Sequence, residues 1–233
     1  VARGKGPDGA FPSSAIYPAV RRLRAAPTGV GGAGAAVYHG GMRLIGEIDP
    51  ARPLLVVAVE GEAAHLDGSL PVLLTGMGKV NAAASVASVL AGPVRPASVV
   101  NLGTAGALKP GWNGTHEVRG VIQHDLDTGA LHSLTGLVWG APLELRPGTD
   151  GPVLATGDLF VSEERARARL AEQADLVDME GYAVASVALA AGLPVRLVKH
   201  VSDEAGEGAA RTWLDSLDDC ARVLAAWVAE ELG

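Results

Sequence analysis

The residues in this chain best suited to chemistry are carboxylic acids that follow short apolar runs. "LVDMEG" (176–181) sets Asp178 and Glu180 on either side of Met179, just ahead of a stretch of small apolar residues. "VAVEGE" (57–62) ends in Glu60 and Glu62, and "VKHVSD" (198–203) ends in Ser202 and Asp203. A positioned carboxyl group can give or take a proton, or accept hydrogen bonds from hydroxyls. Each group also has a plainer use. Asp178 could cap the helix that follows it, and Glu180 in a first turn would complement the helix dipole. Glu60 and Glu62 have the same alternative, and Ser202 with Asp203 could simply begin a turn.

Other candidates carry less. "GMGKVNAA" (76–83) departs from a dinucleotide-binding loop, because Asn81 stands at the third glycine position and no acid closes a second strand at the required distance. "HDLD" (124–127) with His132 supplies metal-ligand residue types, but the spacing is not diagnostic of a site. Lys199 and His200 are adjacent in one apolar run, so one of them faces the core or the site, and the pattern does not say which.

The elements that must position these groups alternate in type. Strands are expected at 54–59, 70–76, 96–103, 153–158, 176–179 and 193–203, and helices at 79–92, 162–174, after Glu180, and from about 208. Residues 103–111 read as a glycine-rich turn, and 117–139 as strands of an irregular or antiparallel region. The fold class expected is α/β, a three-layer sandwich in which helices flank a central, mostly parallel mixed sheet. Ligands of open α/β sheets bind at the carboxyl ends of the strands. Glu60 and Glu62, Gly76 and Gly78, Gly103, Thr104 and Gly106, Gly157 and Asp158, Asp178 and Glu180, and Ser202 and Asp203 would thus gather on one rim.

The whole chain limits the function classes. It has 233 residues, 48% hydrophobic, with a net charge of −7. That balance disfavours a broad nucleic-acid surface. The single cysteine, Cys220, excludes a disulfide framework and fits a reducing, cytoplasmic setting. No apolar run approaches the roughly 20 residues of a membrane span. Residues 1–41 are rich in Gly, Ala, Pro and Arg and read as a flexible tail, whereas 42–233 read as one catalytic domain. Met42 opens the patterned part, and native translation is expected to start there.

The order "VAVEGE", "TGMGKVNAA", "NLGTAGAL", "VIQHDLD", "TGDLFVS", "VDMEGYAVA", "VKHVSDEA" resembles the nucleoside phosphorylase superfamily, most of all the bacterial 5′-methylthioadenosine/S-adenosylhomocysteine nucleosidases. The likeness runs from about Leu54 to the C-terminus. It implies a nucleoside phosphorylase-like fold and cleavage of a purine nucleoside. On that likeness Asp203 is the general acid at purine N7, Glu180 holds the ribose hydroxyls, and Glu62 orients and activates water. Met179 packs beneath the sugar, Phe160 stacks on the base, and the Val161 backbone meets the base edge. Thr104, Gly78 and Ser202 complete the substrate-binding set, and Trp213 closes over the 5′ substituent. Neither metal nor organic cofactor is called for. Relatives are usually dimers, so a homodimer is expected, with Trp139 and Trp213 placed to cover an apolar interface. The sequence departs from phosphorylases in offering acids at "VEGE" and no arginine ahead of the glycine in "VVNLGTAGAL", which favours hydrolysis. A phosphate-dependent phosphorylase and a non-catalytic nucleoside-binding module are the alternatives. Residues 63–75 form a shorter link than the family's, and 128–140 match nothing specific in it.

Overall fold

The computed structural model describes residues 42–233; the expected tail at 1–41 lies outside the described residues. The elements run β1 (Arg43–Ile45), β2 (Pro53–Val57), β3 (Val72–Leu74), α1 (Lys79–Leu90), β4 (Ser98–Ala107), β5 (Thr115–Glu117), β6 (Gly120–Gln123), α2 (Thr128–Thr135), β7 (Leu143–Glu144), β8 (Val153–Thr156), α3 (Glu164–Ala171), β9 (Leu176–Asp178), α4 (Gly181–Ala190), β10 (Val195–Asp203) and α5 (Ala209–Glu231).

One mixed sheet contains all ten of these strands. β3, β2, β4 and β10 form one parallel group, and β6, β8 and β9 another. The two groups meet where β4 and β9 pair antiparallel, Gly106 opposite Val177 and Ala107 opposite Leu176. The antiparallel strands β1, β5 and β7 attach at the margins. The expected architecture is thus observed. Its cause is visible in β2: Leu54 and Val56 pack among residues of α1 and α4, while Leu55 and Val57 pack among residues of α5. A strand buried on both faces needs an unbroken apolar run. In the second group the same alternation sends Leu154 and Leu176 to the α4 side, and Ala155 and Val177 to the α3 side.

Small residues set the helix packing. α4, "GYAVASVALA", is apolar all round and buries Ala183, Ala185 and Ala188, so it lies close against α1 and the sheet. α5 buries one stripe, Cys220, Ala221, Leu224 and Val228, at helical spacing, half-buries Trp213 and Trp227, and exposes Arg211, Asp215, Asp218, Asp219 and Arg222.

Two sequence expectations need correction. Residues 103–107 are not a turn: β4 continues through them, paired with β10 from Lys199–Gly103 to Asp203–Gly106. Glycine is needed there for space, not for bending. A Cβ at Gly106 would stand 2.9 Å from Ala205 Cβ and 3.1 Å from Asp203 Oδ1. Residues 117–139 are not all strand: 128–135 form α2, capped by Asp127 accepting from Ala130 N–H at 2.8 Å and ended by Gly136 at φ 70°. Those two end signals outweigh the β-like alternation between them.

Candidate active site

The carboxyl ends of the strands meet in a cavity of about 330 Å³. Four carboxylates line it, Glu62, Asp178, Glu180 and Asp203, and no Arg, Lys or His lines it among the described residues. Thr104, Phe160, Val161, Met179, Ser202 and Trp213 line it too. Every site residue expected from the sequence is therefore in the wall except Gly78, and Gly78 touches it indirectly, donating its N–H to Glu180 Oε1 at 2.7 Å. Gly78 has φ 93°, a left-handed conformation that suits glycine and that aims this N–H at the carboxylate.

Below the cavity floor lies an ion cluster. Asp178, at the end of β9, accepts from Thr156 Oγ1 at 2.6 Å, from Gly181 N–H at 2.8 Å, and from Lys199 Nζ at 2.9 Å. It is thus both the cap of α4 and the partner of a lysine that is only 1% exposed. Burial opposes the charge on Lys199, but Asp178, then Glu180, outweigh it, and the lysine pKa is raised. One ammonium faces the three buried carboxylates Glu62, Asp178 and Glu180. The surplus negative charge has a consequence: burial, and then the Asp178 charge, push Glu180 up to about 8.

Glu62 follows β2 in a single turn closed by hydrogen bonds from Glu62 N–H to Val59 O and from Ala63 N–H to Glu60 O. Its Oε1 accepts from Thr104 N–H at 2.7 Å and from Thr104 Oγ1 at 2.8 Å. Its Oε2 is buried and has no hydrogen-bond partner among the described residues. A buried carboxylate oxygen left unpaired is costly unless something polar is to fill the place. Trp213, on α5, donates its indole N–H to Thr104 Oγ1 at 2.8 Å.

Asp203 closes β10. Its Oδ1 accepts from Ala205 N–H and its Oδ2 from Ser202 Oγ, both at 2.8 Å. Ala205 holds φ 49°, unusual for a residue with a Cβ, and is buried against Leu108 and Val161. That strained turn fixes the direction in which Asp203 points.

Not every strand end joins the site. Glu60 turns out to an ion pair with Arg43. Asp158 accepts from Lys79 N–H at 2.7 Å and so caps α1 from outside. Asp125 pairs with Lys79, and His124 lies against Gly157. Lys199 is the one functional group whose place the sequence left open. Its neighbour His200 bonds Thr115 Oγ1 at 2.8 Å through Nδ1 instead.

Comparisons with known proteins bear on the family and the fold. The pattern of the family described as "Phosphorylase superfamily" matches residues 144–230. The 5′-methylthioadenosine/S-adenosylhomocysteine nucleosidase of Geobacillus kaustophilus is 31% identical over 193 residues, covering 72% of this chain and 81% of that protein. The aminodeoxyfutalosine nucleosidase of Campylobacter jejuni is 29% identical over 172 residues, covering 63% of this chain and 73% of its own length. The solved structure of futalosine hydrolase of Helicobacter pylori superposes with a TM-score of 0.69 at 20% identity, covering 77% of this chain and 96% of that one. The chain belongs to the nucleoside phosphorylase superfamily and, within it, is a relative of the 5′-methylthioadenosine/S-adenosylhomocysteine nucleosidases.

Proposed function

We propose that the protein hydrolyses the N-glycosidic bond of an adenosine-type nucleoside carrying a 5′-thio substituent, as in methylthioadenosine or S-adenosylhomocysteine. The observation that carries this reading is a cavity walled by carboxylates in which, among the described residues, there is no basic side chain and one buried carboxylate oxygen, Glu62 Oε2, has no partner. A phosphate nucleophile beside Glu62 would meet a carboxylate and no basic side chain of the cavity wall, whereas water can donate a hydrogen bond to Glu62 Oε2. The relatives named above supply the nucleoside class.

In this reading Asp203 gives a proton to purine N7 as the C1′–N9 bond breaks and its electron pair passes to the base. General acid help of this kind is worth about 10²–10⁴-fold. Glu180, as the carboxylate, accepts from the ribose O2′ and O3′ hydroxyls and faces the positive charge growing on the sugar. Water attacks C1′ from the opposite side and loses a proton to Glu62. Phe160 stacks on the base, the Val161 backbone meets its edge, Met179 supports the sugar, and Ser202 steadies Asp203. Ala58, Val59, Met77, Ala210 and Leu214 give the rest of the wall an apolar character, which suits a thioether better than a charged 5′ group. The chain's own residues cover each step of this scheme.

The same reading makes the protein a homodimer. Leu134, Leu137, Val138 and Trp139 are exposed side by side in sequence, the kind of apolar surface that a second copy covers. Trp213 is turned inward to Thr104 instead.

The test is a panel of purine nucleosides that differ at the 5′ position, incubated with and without phosphate, with chromatography for free base. Base release that is independent of phosphate and fastest for 5′-thio substrates is the expected result. Release only with phosphate, together with ribose 1-phosphate, would make it a phosphorylase. Tight adenine binding without turnover would make it a binding module.

A further inference from the structure

We propose that Trp213 is a positioning residue for the general base: through Thr104, its indole N–H determines which oxygen of Glu62 is left open to water. This rests on the hydrolase reading above. Thr104 Oγ1 lies 2.8 Å from the Trp213 indole nitrogen and 2.8 Å from Glu62 Oε1. The indole can only donate, and a hydroxyl has a single proton. The Glu62 carboxylate can only accept, so the Thr104 proton lies on the contact to Oε1, and the indole N–H, by holding a lone pair of the same hydroxyl, keeps it turned that way. Glu62 Oε1 already accepts from Thr104 N–H at 2.7 Å, so both donors converge on Oε1 and none reaches Oε2.

The carboxylate is thereby made unequal. Oε1 is held by two hydrogen bonds and is the weaker base; Oε2 keeps its electron pairs for the water proton. Remove the indole N–H and the Thr104 hydroxyl can rotate to another acceptor, such as a ribose oxygen, loosening Glu62. A phenylalanine at this position would still cover the cavity but could not donate. Trp213 therefore has two separable functions, a ring that closes the site and an N–H that orders the base. Because Trp213 stands on α5 while Glu62 follows β2, the hydrogen-bond chain also ties the seating of α5 to the readiness of the base.

Trp213→Phe separates the two functions, with kinetics on a purine nucleoside that the wild type hydrolyses. The expected result is a fall in kcat of roughly 2- to 13-fold, the size of one lost hydrogen bond between neutral groups, with KM changed less than about 3-fold. Thr104→Val should lower kcat as well, Thr104→Ser should recover most of that loss, and Trp213→Phe added to Thr104→Val should lower kcat no further. A Trp213→Phe enzyme that alters KM alone, or losses that multiply in the double variant, would overturn the proposal. An independent reading uses the wild-type indole N–H signals in ¹H–¹⁵N spectra: the Trp213 signal, assigned by its disappearance in Trp213→Phe, should exchange slowly with water and should shift in Thr104→Val. Rapid exchange in the wild type removes the hydrogen bond and the proposal with it. A wild type that shows the protected indole but hydrolyses no nucleoside would instead sink the hydrolase reading, and with it any role of the bond in catalysis.

Discussion

At the scale of single residues, the site is a problem in placing negative charge. Three buried carboxylates share one buried ammonium, and the protein answers by protonating Glu180. Its pKa in the fold, about 8, is above the ordinary 4.5, so the fold holds the proton more tightly than the unfolded chain does. The stabilisation is complete below about pH 4.5 and is lost as the pH rises through about 8. Glu180→Gln, which keeps the acceptor for Gly78 N–H, should remove that slope: its melting temperature should match or exceed the wild type's near pH 9. A variant whose pH profile parallels the wild type's would show that Glu180 does not carry the proton. In the proposed scheme Glu180 acts as the carboxylate, so kcat/KM should rise toward pH 8. Glu62→Gln should slow hydrolysis by about 10²-fold or more, since the amide cannot take a proton from water; an unaffected rate would move that task to another group. Glu180, Glu62 and Asp203 were legible in the sequence because each follows an apolar run. Lys199 was not, since alternation along β10 leaves the face of a single polar residue undecided until the partner strands are known.

Elements bring these residues together through close approach as much as through turns. β4 passes beneath the site, and its glycines make room for the side chains of β10 and of the Glu62 turn: a Cβ at Gly103 would meet Glu62 Oε1 at 3.2 Å and Lys199 Nζ at 3.4 Å. Gly106→Ala should push the strained Asp203–Ala205 turn outward, cost about 1–3 kcal/mol of stability, and reduce turnover more than stability. Activity retained in a protein of unchanged melting temperature would mean that the turn yields easily. Glycine's ambiguity explains the misread segment, because "GTAGA" has the composition of a turn but the pairing of a strand. The helix at 128–135 was readable from Asp127 and Gly136, two end signals that the neighbouring β-like pattern masked.

At the scale of the whole molecule, the alternation of apolar strands and small-residue helices was enough to anticipate the flanked mixed sheet, and the rim rule placed most of the acids. What it could not separate was an acid in the cavity from one beside it. Glu60 and Glu62 are two residues apart, and only the turn after β2 decides that the first meets Arg43 and the second Thr104. The exposed run from Leu134 to Trp139 carries a further expectation: sedimentation should give the mass of a dimer, and Trp139→Glu should shift it toward the monomer, whereas a monomeric wild type would leave that surface without its proposed partner. The central claim is that Asp203 and its neighbouring acids hydrolyse a purine nucleoside with water as the nucleophile. Its most direct test is the rate of adenine release from 5′-methylthioadenosine in phosphate-free buffer, wild type against Asp203→Asn. The expected result is steady release by the wild type and a rate lower by about 10²–10⁴-fold in the variant, with the melting temperature little changed. Near-normal release by Asp203→Asn, or none by the wild type until phosphate is added, would contradict it.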